Sequence, residues 1–111
     1  MSSPRYKLIF FTPPPNLETI KTAIFATGAG RYPGKGDYSE VCFTTAGASQ
    51  FRPGHSSNPT IGQPGRLEEV AEVRCEILCC GEQVVRDAVE ALKLTHPYET
   101  VAYDVVKLEP F

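Results

Sequence analysis

Apolar positions along this chain change period several times, and each change marks an element. YKLIFFT (6–12) is a short continuous apolar run, rich in aromatics, that stops at three prolines; it predicts a strand buried on both faces. Asn16 follows as a candidate N-cap, with Glu18 in the first turn. Leu17, Ile20, Ala23 and Ile24 then recur at helical spacing, which predicts a helix over about 16–27 closed by Gly28. YSEVCFTTAG (38–47) reads as a strand with Val41 and Phe43 on one face. In RLEEVAEVRCEILCC (66–80), Val73, Cys75 and Ile77 alternate with Glu72, Arg74 and Glu76, the pattern of a strand with one core face and one wet face. GEQVVRDAVEALKL (81–94) gathers Val84, Val85, Ala88, Val89 and Leu92 on one side of a second helix, and TVAYDVVKL (100–108) reads as the last strand.

The order βαββαβ predicts an α+β fold, the ferredoxin-like sandwich: a four-stranded antiparallel sheet with both helices on one face. No repeat or composition shift divides the chain, so residues 1–111 are expected to form a single domain. With 111 residues, 41% of them hydrophobic, there is material for one core. The other sheet face is left partly apolar, and self-association through it is expected. A net charge of −2 with no block of like charges argues against a phosphate backbone as partner. No apolar run approaches the length of a membrane span. The start, MSSPRYKLIFFTPPP, has neither the basic stretch nor the cleavage site of a leader, so a cytoplasmic protein is expected.

The cysteines change the picture little. Cys75 and Cys79 share the predicted core face of their strand, Cys80 points away from it, and Cys42 lies far off in sequence. Reduced cysteine packs as a small hydrophobe, and that is the role expected here rather than a thiolate metal site.

Two loops and one short run hold the candidate chemistry. GAGRYPGKG (28–36) lacks the first Gly and the hydroxyl of a phosphate-binding loop, and it follows a helix rather than preceding one; it is read as tight turns under Tyr32 and Tyr38. FRPGHSSNPTIGQPG (51–65), with three Pro and three Gly, can hardly be helix or central strand, and loops this long are often functional. The run HPYE (96–99) ends the second helix, because Pro97 forces His96 toward extended geometry. One reading is a structural corner, with His96 meeting the last helix carbonyls, Glu99 accepting a hydrogen bond from it, and Tyr98 closing the core end. The other makes His96 and Glu99 ligands for zinc or copper, joined by His55 from the long loop. A small hydrolase with a His-centred site at a subunit interface is a third possibility, with Ser56 and Ser57 beside His55.

These motifs together resemble a known family. The pattern G-x-G-x-x-P, Y-x-x-x-C-F, G-x-x-x-F-x-P, N-P-x-I-G and HPYE-x-x-A-Y-D, running through residues 6–108, is similar to the PII-like inserted domain of the Nif-three-like proteins, the type-2 GTP cyclohydrolase I homologues. HPYE after the second helix also resembles the CutA proteins. The resemblance implies a CutA/PII-like fold that assembles as homo-oligomers, often trimers. It implies metal binding at His96 and Glu99 on the CutA side. On the PII side it implies a small ligand between the long loop and a neighbouring subunit, with Phe51, Arg52, Asn58, Gly62 and Tyr98 as candidates. In full-length relatives the two-metal centre belongs to the flanking domain, for which 111 residues leave no room, so a cyclohydrolase or hydrolase activity is not carried over. His55 stands where the family loop commonly carries an acidic residue. The expectation is a non-enzymatic, oligomeric module that binds a small ligand or a divalent metal in a regulatory or metal-homeostasis role; a hydrolase and a purely structural interaction protein are the alternatives.

Overall fold

The structure, a computed structural model, describes residues 3–111; the expectation about the start of the chain extends over Met1 and Ser2, which lie outside them. The elements are β1 (Arg5–Thr12), a short 3-10 turn (Pro14–Asn16), α1 (Leu17–Phe25), β2 (Phe43–Phe51), β3 (Glu68–Cys80), α2 (Glu82–Thr95) and β4 (Tyr103–Leu108). The sheet runs β2-β3-β1-β4, antiparallel throughout, with the two helices packed on one face. This is the ferredoxin-like arrangement that the order of elements predicts.

Parity along the strands sorts the side chains. Leu8 and Phe10 on β1 and Cys75, Ile77 and Cys79 on β3 face the helices, where Ile20, Ile24, Val85, Ala88 and Leu92 complete the core. The cysteines therefore pack: Cys75 and Cys79 have no exposure, while Cys42 and Cys80 are half-buried, all four as free thiols. Burial pushes the Cys75 thiol up to about 12, with Cys42 beside it adding to the effect, and the Cys79 thiol up to about 11. β1 is buried on both faces in its middle, since Ile9 on the opposite side is also covered.

Two expectations are corrected. Asn16 makes no side-chain cap, because the prolines start a 3-10 turn that carries the chain into α1 before any cap can form. The second strand begins at Phe43 rather than Tyr38. Residues 38–42 fold back instead on the preceding loop, through Val41 N–H to the Gly30 carbonyl (2.8 Å) and Tyr32 N–H to the Tyr38 carbonyl (2.9 Å). Gly30 is required at that fold-back: its φ of 81° is left-handed, and a Cβ there would lie 2.6 Å from the Phe25 ring.

β3 is longer than β1, which pairs only with residues 73–80. Residues 68–72 pair with 47–51 alone, as a two-stranded ribbon beyond the four-stranded sheet, and the 52–67 loop joins its ends. The Cα radius of gyration of 15.4 Å reflects this extension, because a compact chain of this length would give about 13 Å. Among the described residues no helix is long and apolar enough to cross a membrane.

Candidate functional site: a cleft under the 52–67 loop

The site begins at the corner after α2. His96 has the extended backbone that a residue before proline adopts, φ −72° and ψ 140°. Its ring is buried and bonded at both nitrogens: Nε2 lies 2.7 Å from the Phe11 carbonyl oxygen, and Nδ1 accepts the Tyr98 N–H at 3.1 Å. A carbonyl only accepts, so Nε2 carries the hydrogen and the ring is held as that neutral tautomer. His96 thus joins the α2–β4 connection to the end of β1. It neither meets the last helix carbonyls with its ring nor reaches Glu99, so those two expectations for the corner are corrected.

Glu99 points to the long loop instead. Its Oε1 accepts the Asn58 N–H at 3.0 Å, and the Thr60 hydroxyl donates to the Pro97 carbonyl at 2.8 Å. The 52–67 loop is therefore tied to the corner at two points. Internally it is braced by Gly65 N–H to the Pro53 carbonyl (2.7 Å) and Arg52 Nη1 to the Gly65 carbonyl (2.9 Å), with the His55 ring lying against Gly65.

Beneath the loop, on the sheet face away from the helices, lies a cleft of about 510 Å³. Phe11, Phe51, Pro53, Ile61, Tyr98 and Ala102 are among the residues that line it. Tyr98 stands edge-on to His96 at 4.9 Å between centroids and tilts against Phe51 at 6.5 Å. It does not close the helix-side core, as its position in the run suggests; it faces this cleft.

The cleft contains a buried acid. Glu72 is 7% exposed, although strand alternation places it on the wet face. The loop and the corner cover it there. Its Oε2 accepts the Tyr98 hydroxyl at 2.8 Å and its Oε1 accepts the Ser49 hydroxyl. No Lys, Arg or His is paired with it among the described residues. Burial, followed by the hydrogen bond to Glu72 and that carboxylate's charge, holds the Tyr98 phenol well above its usual range, so it remains a donor.

Of the expected ligand-binding residues, Phe51 and Tyr98 line the cleft, whereas Arg52, Asn58 and Gly62 shape the loop over it. The expected metal ligands are not brought together. His96 has no free lone pair, Glu99 is bonded to Asn58, His55 lies apart on the loop, and no group of three or more His, Cys, Asp or Glu among the described residues could hold an ion. The residues present therefore do not fit the metal that a CutA resemblance implies. Glu72 and Ser49, which sequence reasoning missed, are the polar groups that fit a ligand. The signal available was Gly47 opposite Glu72 in a run of small residues, which leaves space beside the acid.

No family model matches the chain. A protein of Listeria monocytogenes described as a GTP cyclohydrolase 1 type 2 homologue is 36% identical over 108 residues, 97% of this chain and 28% of that protein. A solved Bacillus cereus protein related to NIF3 superposes with a TM-score of 0.81 at 32% identity, covering 98% of this chain and 27% of that one. Along nearly its whole length the chain is similar to one segment of these NIF3-related proteins. It spans little more than a quarter of their length. Two structures of lower identity share the fold along most of both chains. CutA1 of Ehrlichia chaffeensis, a divalent ion tolerance protein, gives a TM-score of 0.70 at 12% identity, over 98% of this chain and 85% of that one. Bacillus subtilis GlnK, solved with ATP, gives 0.61 at 16%, over 97% and 84%.

Proposed function

We propose that the protein is a self-associating, ligand-sensing module of the PII/CutA-like kind, and that its ligand occupies the cleft between the sheet and the 52–67 loop. The observation that carries this is the cleft itself. Its size suits a small molecule, its walls are mostly apolar, and its polar groups are few and held in place, as in small-molecule sites generally. The covering loop is tied to the corner by two hydrogen bonds, so ligand occupancy and loop position are coupled. Self-association is favoured by β2, an edge strand whose sequence FTTAGASQF carries no charge and is exposed over most of its length. A zinc or copper site is not part of the proposal, because His96 and Glu99 are already engaged by the protein.

A thermal-shift screen of small organic molecules against wild type and Ala102→Trp, with native mass spectrometry at several protomer concentrations, tests it. Stabilising compounds are expected for wild type, and Ala102→Trp, which places a bulky ring in the cleft, abolishes the shift. A monomer at all concentrations removes the self-associating part. Compounds whose effect persists in Ala102→Trp remove the cleft.

A further inference from the structure

The chemistry of the cleft narrows its occupant, on the footing that the cleft is the ligand site. We infer that the cleft takes a small organic cation: a protonated amine or ammonium group carried on an apolar body.

Charge is the first argument. The residues lining the cleft include two carboxylates, Glu72 within it and Glu99, and no Lys, Arg or His. An ionised carboxylate offers about four lone-pair directions. Glu72 uses two of them on the Ser49 and Tyr98 hydroxyls, which leaves acceptor capacity on a charge that is 7% exposed. A buried charge without a counter-ion is costly, and a cationic ligand removes that cost on binding.

The walls are the second argument. Phe11, Phe51 and Tyr98 present three aromatic rings to one cavity, the surroundings in which ammonium groups are bound by ring faces. Phe11 already has a cation over its ring, the Arg74 guanidinium at 6.0 Å, held from the side by Glu76. Arg74 does not line the cleft, so the neighbouring space is left for a ligand.

The same features oppose a phosphate or carboxylate ligand. Such a group would meet Glu72 with no cationic side chain to receive it. The N-terminus of α2, where amides could hold an anion, lies at the far end of that helix, with Gly81 bonded to Pro4 near the start of β1. A nucleotide held through its phosphates does not fit this cleft.

The test uses the full chain and three probes of like shape: benzylamine, benzyl alcohol and benzoate, titrated by ligand-observed NMR at pH 7 and physiological salt. Benzylamine is expected to bind at least tenfold more tightly than the other two. Glu72→Gln removes that preference, and Ala102→Trp blocks binding. The comparison among probes needs only wild type, so it decides even if Glu72→Gln folds poorly. If benzyl alcohol or benzoate binds as well as the amine and Ala102→Trp blocks both, the cation assignment is wrong while the cleft stands as a ligand site. If no probe binds and a library screen finds nothing that Ala102→Trp displaces, the site itself fails. Benzylamine binding that Glu72→Gln leaves unchanged also overturns the inference.

Discussion

Replacing His96 with alanine separates a structural histidine from a metal ligand. Two hydrogen bonds disappear, Nε2–H to the Phe11 carbonyl and the Tyr98 N–H to Nδ1. Each leaves a partly covered backbone group short of a partner, at about 1 kcal/mol apiece, and the lost ring contributes about 1 kcal/mol more. The sum is about 3 kcal/mol. For 111 residues the unfolding entropy is about 0.23 kcal/mol per kelvin, so Tm is expected to fall by about 13 °C. His96→Asn, whose carbonyl can still accept the Tyr98 N–H, should lose about half as much. The assay is calorimetry at a fixed protomer concentration, since any self-association makes Tm depend on concentration. It is repeated with zinc or copper at a small excess, and neither ion should raise the wild-type Tm. The reasoning is refuted if His96→Ala lowers Tm by less than about 3 °C. It is equally refuted if zinc stabilises wild type by several degrees and His96→Ala abolishes that gain.

Tyr98→Phe removes a hydrogen bond to a buried carboxylate and should cost about 1.5–3 kcal/mol in urea unfolding; a loss below about 0.5 kcal/mol would mean that Glu72 has other partners. Glu99→Ala unties Asn58, so limited proteolysis should cut the 52–67 loop several-fold faster while global stability changes by less than about 1 kcal/mol, and an unchanged cutting rate would count against the tether. Gly30→Ala sets a Cβ against the Phe25 ring at a left-handed φ and should cost about 2 kcal/mol or more, read from the shift in urea midpoint. The buried thiols set an alkaline limit. From an ordinary value of 9.0, Cys79 is raised to about 11 and Cys75 to about 12, so both stay protonated in the folded state after the unfolded chain has begun to ionise. Their contribution is fully present below pH 9 and is lost as pH rises through 11 to 12, with about 3 kcal/mol attached to Cys79. A urea midpoint that stays flat from pH 8 to 11 would contradict that assignment.

Much of the fold is legible in local periodicity because most elements bury one clear face. Val85, Ala88 and Leu92 announce α2, and Cys75, Ile77 and Cys79 announce the inner face of β3. β2 is different. Its true span, FTTAGASQF, is mostly small residues exposed on both faces, so it offers no alternation to read; what makes it a strand is its ladder with β3. The preceding YSEVC has better strand composition, yet its backbone is partly taken by the 28–42 loop. The cleft was least visible of all. Glu72 has the position of a wet-face residue and is buried by segments 37 to 41 residues apart in sequence, joined through Asn58–Glu99 and Thr60–Pro97. No local pattern encodes that meeting.

The four residues of HPYE explain why the corner and the cleft are one construction. His96 bonds to β1, the Pro97 carbonyl and Glu99 hold the loop, and Tyr98 bonds to Glu72 inside the cleft. Together they reach three segments, β1, the 52–67 loop and β3. The Tyr98 N–H is held on the His96 ring, and that ring is in turn held on the carbonyl of Phe11, another wall residue. A change at His96 is therefore expected to disturb the cleft wall, although His96 does not itself line the cleft. Glu72→Gln leaves the two His96 hydrogen bonds in place and removes the charge that the cleft presents, with one of the two hydroxyl partners, Ser49 or Tyr98, then facing an amide donor.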